Sequence, residues 1–537
     1  MKISIAFSWP AGSGINTCGI VLGQILSEYG YFIYGDKEYS SLIKGGNNLF
    51  VLYISDTHHF ISRTIDSYIF FDDFAQGKNE KIYTINTSYF VDKREHKNQN
   101  AFAIGLATKI LGLDFTQVRA IFLEKLPERI REETAVALQQ WFDSIEQSVY
   151  SLMPLRKAKG RFCFWNEIVS EWAIESGLEF YSAYPMTPAS SLVDIISEDS
   201  WVVFFQWEDE IAVSMSMLGA KFGGKRAMCG TSGGGFALMS ESISFSNQAE
   251  LGGVYILSQR AGPSTGTPTF TGQWDLNYAL NATFGDTFPV VLAPYTFTNW
   301  YNLIGKALNW SDVYQYPIIF LIDKSFSESY MSVDETRLIT EPIKKWKLVK
   351  NPPETFARYN LSSDGISEYS IPGTANGEFI ASSYEHDIYG KETEESEIKM
   401  QMEEKRFQKL TTFIRDEFND GFYCFDVINP DATKFFITYG VNFYAIHGFI
   451  ADHPDAGWGA IVLKVIQPMD MRLKEFLNDR SKHIERLTFV EQNYSGQLEN
   501  VVCNKLWLQG DGWQWKIDHL RSYDLYPIFE EQIWEKV

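Results

Sequence analysis

Tyr184-Pro185-Met186-Thr187-Pro188-Ala189-Ser190-Ser191 follows the apolar run Leu178-Glu179-Phe180-Tyr181. It precedes Leu192, Val193, Ile195 and Ile196, which are spaced as on a helix. Two prolines bracket Met186 and Thr187 and hold that backbone out of helix. The pattern predicts a strand that ends, a rigid turn that presents Thr187, and a helix that begins. In parallel α/β sheets ligands bind at the carboxyl ends of strands. Taken alone, such a stretch is more often a plain strand-to-helix turn than a binding site.

Downstream the same grammar repeats. Trp201-Val202-Val203-Phe204-Phe205 reads as a strand and is followed by Glu208-Asp209-Glu210. Ile211, Met215, Leu218 and Phe222 recur at helical spacing, which sets Glu210 in the first turn of an amphipathic helix. An acid there also complements the helix dipole. Arg226-Ala227-Met228-Cys229-Gly230 is a further strand, ending in Thr231-Ser232-Gly233-Gly234-Gly235-Phe236. Three glycines let backbone approach a ligand closely or make a tight turn. Gly253–Ser258 is another strand, and it runs into Gln259-Arg260-Ala261-Gly262-Pro263-Ser264-Thr265-Gly266-Thr267-Pro268-Thr269. An arginine at a strand end suits either a clamp for a carboxylate or a surface ion pair. Three successive strand ends thus direct Thr187, the Thr231–Gly235 loop and Arg260 toward one edge.

Outward from this centre, residues 3–9 form a buried strand followed by Gly12-Ser13-Gly14 and a helical pattern through Ile15, Ile20, Val21, Leu22, Ile25 and Leu26. That is a phosphate-cradle arrangement, although the spacing is neither a P-loop nor a full dinucleotide fingerprint. Strands at FVLYIS, YIFFD and KIYTINT alternate with helices near 101–112, 116–124 and 132–150. Within this part Glu38–Asn47 is polar and glycine-ended. A basic segment at 151–162 marks a linker, and strands at 290–294 and 318–323 close the second unit. Residues 331–415 are irregular, except for the highly charged run KETEESEIKMQMEEKRFQKL, which reads as a solvated helix. From Lys434 strands and helices alternate again. The expected fold class is α/β with several doubly wound domains, over residues 1–155, 156–330, 331–415 (irregular arm and charged helix) and 416–537.

The 537 residues exceed what one core supports. With 45% hydrophobic and 21% charged residues the composition is that of a soluble globular protein. A formal charge of −21 argues against a nucleic-acid or anionic-membrane binder. No apolar run is long enough to span a bilayer, and the first residues are too short and strand-like for a signal peptide. The five cysteines are scattered without a Cys-x-x-Cys pair, against a disulfide scaffold, a zinc finger or a cluster ligated by this chain alone. No metal site is expected, and the expected location is cytoplasmic.

Together these motifs resemble the 2-oxoacid:ferredoxin oxidoreductase family, in particular its long alpha subunit with a fused gamma domain. Gly12–Gly14 and Glu38–Asn47 resemble the gamma domain. Residues 184–191 resemble Tyr-Pro-Ile-Thr-Pro-Ser-Ser, Glu208–Ala212 resembles Glu-Asp-Glu-Ile-Ala, and Thr231–Phe236 resembles Thr-Ser-Gly-Pro-Gly-Phe. Gln259–Thr269 is similar to Gln-Arg-x-Gly-Pro-Ser-Thr-Gly-x-Pro-Thr throughout. Asp364–Ser367, Pro372-Gly373, Glu385-His386-Asp387 and Val490–Leu498 also fit. The resemblance implies a gamma-type domain, a pyrimidine-type thiamine diphosphate domain and a transketolase-C-like domain. It implies oxidative decarboxylation of a 2-oxoacid to an acyl-CoA, with electrons passing to ferredoxin.

On the same basis thiamine diphosphate lies between this chain and a beta subunit that supplies Mg2+ and an iron–sulfur cluster, in an (alpha–beta)2 assembly without nucleic acid or membrane. Glu210 is then the catalytic acid at the aminopyrimidine, with Thr231, Ser232 and Gly233 beside the cofactor. Thr187, Arg260 and Thr269 bind the 2-oxoacid, and Lys44, Gly45 and Gly46 meet coenzyme A or an interface. This sequence departs from the family at Met186, Ala189, Gly234, Lys44, Glu368-Tyr369 and Phe284-Gly285-Asp286. Two alternatives remain: a non-catalytic scaffold paralogue, and a thiamine-dependent 2-oxoacid decarboxylase with another acceptor or none.

Overall fold

Ile3–Trp9 is apolar enough to be covered on both faces, and it forms the buried middle of strand β1 (Lys2–Pro10). The computed structural model describes residues 1–10, 14–39, 47–71, 79–91, 98–155, 160–337, 341–419, 422–508, 513 and 516–537. Among the described residues the strands form three sheets. In the first, β1 pairs parallel with β4 (Thr64–Phe70), which pairs parallel with β5 (Thr84–Phe90). On its other side β1 is antiparallel to β3 (Asn47–Ser55), and β3 to β2 (Phe32–Glu38). The eight residues between Glu38 and Asn47 are too few for a crossover, so β2 and β3 can only be antiparallel. The sheet continues from β2 through β13 (Tyr330–Val333) to β6 (Arg161–Phe164), both antiparallel. The chain of the second unit therefore leaves and re-enters through strands of the first sheet.

The second sheet is ordered β17-β11-β12-β10-β9-β7-β8. Its strands are β7 (Phe180–Ala183), β8 (Val203–Gln206), β9 (Ala227–Thr231), β10 (Gly253–Gln259), β11 (Val290–Leu292), β12 (Pro317–Asp323) and β17 (Val465–Gln467). All run parallel except β17, which comes from the last part of the chain and adds antiparallel to β11. Central β10 and β12 are buried along their whole length, as their continuous apolar sequence requires. From β7 the chain moves outward to β8, then returns to β9 on the opposite side of β7. The topological switch point, where parallel sheets open a crevice, therefore lies between β7 and β9. The third sheet runs β14-β16-β15-β18-β19, over Phe425–Ile428, Trp458–Leu463, Lys434–Thr438, Arg486–Glu491 and Ile517–Arg521. One buried cluster joins all three sheets, including Tyr34 and Tyr53, Ile256 and Phe320, and Phe436 and Val490.

The charged run at 391–410 corrects the expectation of a solvated helix. It lies largely within the helix Ser396–Asn419, whose Lys405 and Lys409 are buried one turn apart. Lys405 Nζ lies 2.5 Å from Glu250 Oε1 and Lys409 Nζ 3.0 Å from Oε2, with Glu250 itself 0% exposed. Arg358 donates to the Glu250 carbonyl at 2.7 Å and lies over the rings of Tyr359 and Tyr369. Burial alone would push the Glu250 carboxyl up, but Lys405, Lys409 and Arg358 hold it well below the ordinary range. Burial pushes Lys405 down to about 7 against the pull of Glu250. One carboxylate thus anchors the whole 341–419 arm, and its loss strands two buried ammonium groups. Glu250→Gln is expected to lower stability by about 3–5 kcal/mol in urea denaturation. Lys405→Met should cost clearly less, because Lys409 still neutralises Glu250.

Candidate active site

Four strand ends build the site. After β7 the turn carries Thr187 with its neighbours Met186 and Pro188. After β8, Asp209 caps the helix Glu210–Phe222 by accepting from the Ala212 N–H at 2.8 Å. The cap fixes Glu210 as the first helical residue, with its side chain turned inward and 3% exposed. After β9, Thr231 and Ser232 are buried ahead of the helix Gly233–Leu238. After β10, Arg260 reaches back across the switch point, and its Nη1 donates to the Thr187 carbonyl at 2.7 Å.

The glycines of the loop are spaces held for carboxyls. A Cβ on Gly235 would stand 2.3 Å from Glu210 Oε1 and 2.2 Å from Thr231 Oγ1. A Cβ on Gly233 would stand 2.6 and 2.7 Å from the two carboxylate oxygens of Asp275. Gly234, where the family has proline, faces open space. Among the described residues Glu210 Oε1, Thr231 Oγ1 and Ser232 Oγ are buried without a hydrogen-bond partner. Buried polar atoms seldom stay unpaired, so three together around one glycine loop describe a cradle for a polar ligand. Burial pushes the Glu210 carboxyl up and the charge of Asp209 adds to it, while its own backbone N–H and the nearby Thr231 hydroxyl pull it partly back. A carboxyl raised in this way is suited to general acid–base work.

Thr187, Glu210, Thr231, Ser232, Gly233 and Arg260 thus stand along one sheet edge. Thr269, farther along the chain after Arg260, is buried but lines a separate small cavity with Asp36, Lys324 and Tyr526. Lys44, Gly45 and Gly46 lie outside the described residues, as does Gly12. From the same amino-terminal segment Tyr39 is described. Its hydroxyl donates to Glu328 at 2.7 and 2.8 Å, tying the first sheet to the chain just past β12.

Two residues escaped the sequence reading. Gln273 is fully buried and bonded on both sides of its amide. Asp275 donates its N–H to Gln259 Oε1 at 3.1 Å, which sets its carboxylate against Gly233. Burial pushes Asp275 up to about 6, with Arg260 opposing. Their only signal was position, directly after Thr269. The motif at 490–498 does not line the site but braces it. The Gln492 N–H and the Asn442 amide both donate to Gln273 Oε1, and Asn493 donates to the Gln273 carbonyl.

The residues around this loop match a known family model. Residues 171–405 match the thiamine diphosphate-binding region of the pyruvate flavodoxin/ferredoxin oxidoreductases. The 2-oxoacid:ferredoxin oxidoreductase alpha subunit of Saccharolobus solfataricus is 29% identical over 94% of this chain and 93% of its own length. Over nearly its whole length the chain is therefore similar to the alpha subunits of 2-oxoacid:ferredoxin oxidoreductases. A second alpha subunit of this family, from Aeropyrum pernix, is 32% identical over 63% of the chain and 55% of its own length. The fold of the whole chain is shared with a solved 2-oxoglutarate:ferredoxin oxidoreductase from Magnetococcus marinus, at a TM-score of 0.88 and 23% identity, covering 100% of this chain and 98% of that one. That structure holds 2-oxoglutarate, coenzyme A and succinyl-CoA.

The glycine cradle fits part of a thiamine diphosphate: Glu210 Oε1 and the Ser232 hydroxyl are left without protein partners among the described residues, beside backbone free of side chains. Around it the surface is apolar. Trp201 is 85% exposed, and Val203 and Phe205 stand out from edge strand β8. Ile211, Met215 and Leu238 line one wall of a groove of about 730 Å3 whose other walls carry Glu241, Asp286, Lys399 and Arg406. Gly235→Ala should leave the fold intact while forcing Glu210 and Thr231 apart. A displacement of that size costs about 100-fold in rate, to be read as turnover alongside an unchanged circular-dichroism spectrum.

Proposed function

We propose that this chain is the cytoplasmic alpha subunit, with a fused gamma domain, of an enzyme that oxidatively decarboxylates a 2-oxoacid of the 2-oxoglutarate or pyruvate type. Coenzyme A accepts the acyl group, and ferredoxin accepts two electrons in single-electron steps. A beta subunit brings the Mg2+-diphosphate site and an iron–sulfur cluster, in an (alpha–beta)2 assembly. Glu210 carries the reading: a buried carboxyl at a glycine loop, its Oε1 without a protein partner among the described residues, at the strand ends that Arg260 and Thr187 bridge. The apolar surface around it supports a partner subunit closing the other half of the cofactor site. Five free, buried cysteines accord with a reducing compartment.

Bound thiamine diphosphate supplies a carbon nucleophile for the keto carbon and holds the electron pair left as CO2 departs. Each residue of this chain has a narrower task. Glu210 holds a proton at Oε1 against the aminopyrimidine nitrogen and exchanges it there, which its raised pKa permits. Thr231 and Ser232 offer hydroxyls to the same ring, and Gly233 leaves the backbone clear. Among the described residues Arg260 spends one N–H on the Thr187 carbonyl. Its remaining donors form a planar fork suited to the 2-oxoacid carboxylate, while Thr187 contacts the keto group. Lys44 adds a cation for coenzyme A.

The test is 2-oxoacid- and coenzyme A-dependent viologen reduction by this chain produced anaerobically with its beta subunit. The pair should be active and the single chain inactive, and Glu210→Gln should lose about 100- to 10,000-fold. A loaded complex that releases CO2 without reducing viologen would instead identify a non-redox decarboxylase.

A further inference from the structure

A cavity of about 430 Å3 lies where the three units of the chain meet, and the mechanism above leaves it unused. Its volume falls within the range of about 300–1,000 Å3 that small-molecule sites occupy. Phe32 at the start of β2 and His58 and His59 just past β3 wall one side. They stand at the opposite end of these strands from Glu38 and Asn47. Phe297 opens the helix Phe297–Val313 after β11, and β12 and β10 separate that strand from the crevice at β9. Tyr444 and His447 come from the helix Asn442–Asp452 of the third unit.

The hydrogen bonds around His58 set its tautomer. The Ser55 hydroxyl oxygen accepts the N–H groups of Thr57 and His58, at 3.2 and 3.5 Å. With both lone pairs engaged, Ser55 gives its proton to Thr57 Oγ1 at 3.1 Å. The Thr57 hydroxyl in turn donates to His58 Nδ1 at 3.1 Å, so the ring proton stands on Nε2. His58 is 7% exposed, and its Nε2 has no hydrogen-bond partner among the described residues. The nearest carboxylate oxygen, Asp452 Oδ1, is 3.8 Å away, beyond hydrogen-bond reach, and the other oxygen of Asp452 holds Lys2. His447 lies beside it at a ring separation of 5.6 Å and makes no hydrogen bond among the described residues. Burial pushes His58 down to about 4 and lowers His447 as well, so both rings are neutral at pH 7. A buried donor left unpaired at a cavity calls for an acceptor inside it.

We propose that this cavity binds an uncharged, planar nitrogen heterocycle of nucleobase to nucleoside size, with the His58 Nε2–H donating to a ring nitrogen or carbonyl. Charge selects against the alternatives. Among the described residues the walls carry one charged side chain, the carboxylate of Asp334, and no lysine or arginine. An anion would therefore lose its hydration with no cation to replace it. A cation would leave the His58 donor without an acceptor. Among the described residues no three histidine, cysteine or carboxylate groups are placed to share a metal ion. A flat ring suits walls built from Phe32, Phe297 and Tyr444, against which it can stack. Because those walls come from all three units, the bound ring fastens the units to one another and raises the stability of the folded chain. The proposal stands apart from the reaction assigned above.

The experiment titrates adenosine into the full chain by calorimetry, with AMP and coenzyme A as comparisons. Adenosine should bind with sub-millimolar affinity and raise the midpoint of thermal unfolding. AMP should bind at least about tenfold more weakly, because its phosphate meets no cation. His58→Phe keeps a flat ring and removes Nε2, and should weaken adenosine about tenfold. Saturating coenzyme A should leave the adenosine isotherm unchanged. Adenosine that coenzyme A displaces, or that binds His58→Phe as tightly as the wild type, overturns the proposal. So does the absence of binding by adenosine, adenine and cytosine at millimolar concentration. Photolabelling of the wild-type chain with 8-azidoadenosine needs no variant: label on residues 57–59 or 443–447 supports the site, and label confined to other segments overturns it.

Discussion

The buried amide of Gln273 holds the working parts of this protein in register. Its Oε1 accepts from the Asn442 side chain at 2.8 Å and from the Gln492 N–H at 3.1 Å. Its Nε2 donates to the Tyr439 carbonyl, and to Asp323 at the end of β12. Its own backbone exchanges bonds with Gln492 and Asn493. One side chain therefore fixes the distance between the carboxyl ends of the second sheet and those of the third. Because both halves of the amide are satisfied, any slip of one sheet against the other exposes unpaired groups in a dry interior, at about 1–3 kcal/mol each. The loop carrying Thr269 and Asp275 gains its rigidity from this constraint, and Arg260 is anchored at the near end of the same loop.

A second fixed point lies on the far side, at Glu250. Here the stabilising contact is charged where Gln273 is neutral, and the arm bound by it covers the helices that follow Glu210 and Gly233. Several family-like motifs find their use here. Glu385 pairs with Arg406 at 2.7 Å, His386 packs on Tyr359 at a ring separation of 4.0 Å, and Asp364 pairs with Lys347. None of these reaches the crevice. Motifs that look catalytic by their chemistry serve instead to clamp the arm.

How far the sequence could be read follows from the range of the interactions involved. Thr187, Glu210, Thr231 and Arg260 were legible because each sits at a strand end, and strand, turn and helix are local patterns. The buried lysines were not, since Lys405 is made internal by Glu250, 155 residues earlier. Gln273 depends on Gln492 across 219 residues. Strand β2 was passed over because Gly35, Asp36, Lys37 and Glu38 break any apolar alternation, and only the fold supplies Lys324 as the counter-charge for Asp36. The order of the first sheet followed from a short connection, which composition does not reveal.

Strand β8 ends the second sheet with no neighbour beyond it among the described residues, and Trp201, Val203 and Phe205 stand out along it. Such an edge is a template for any passing extended chain. On the function proposed above, a partner subunit that covered this edge would remove the hazard and stabilise the chain by mass action.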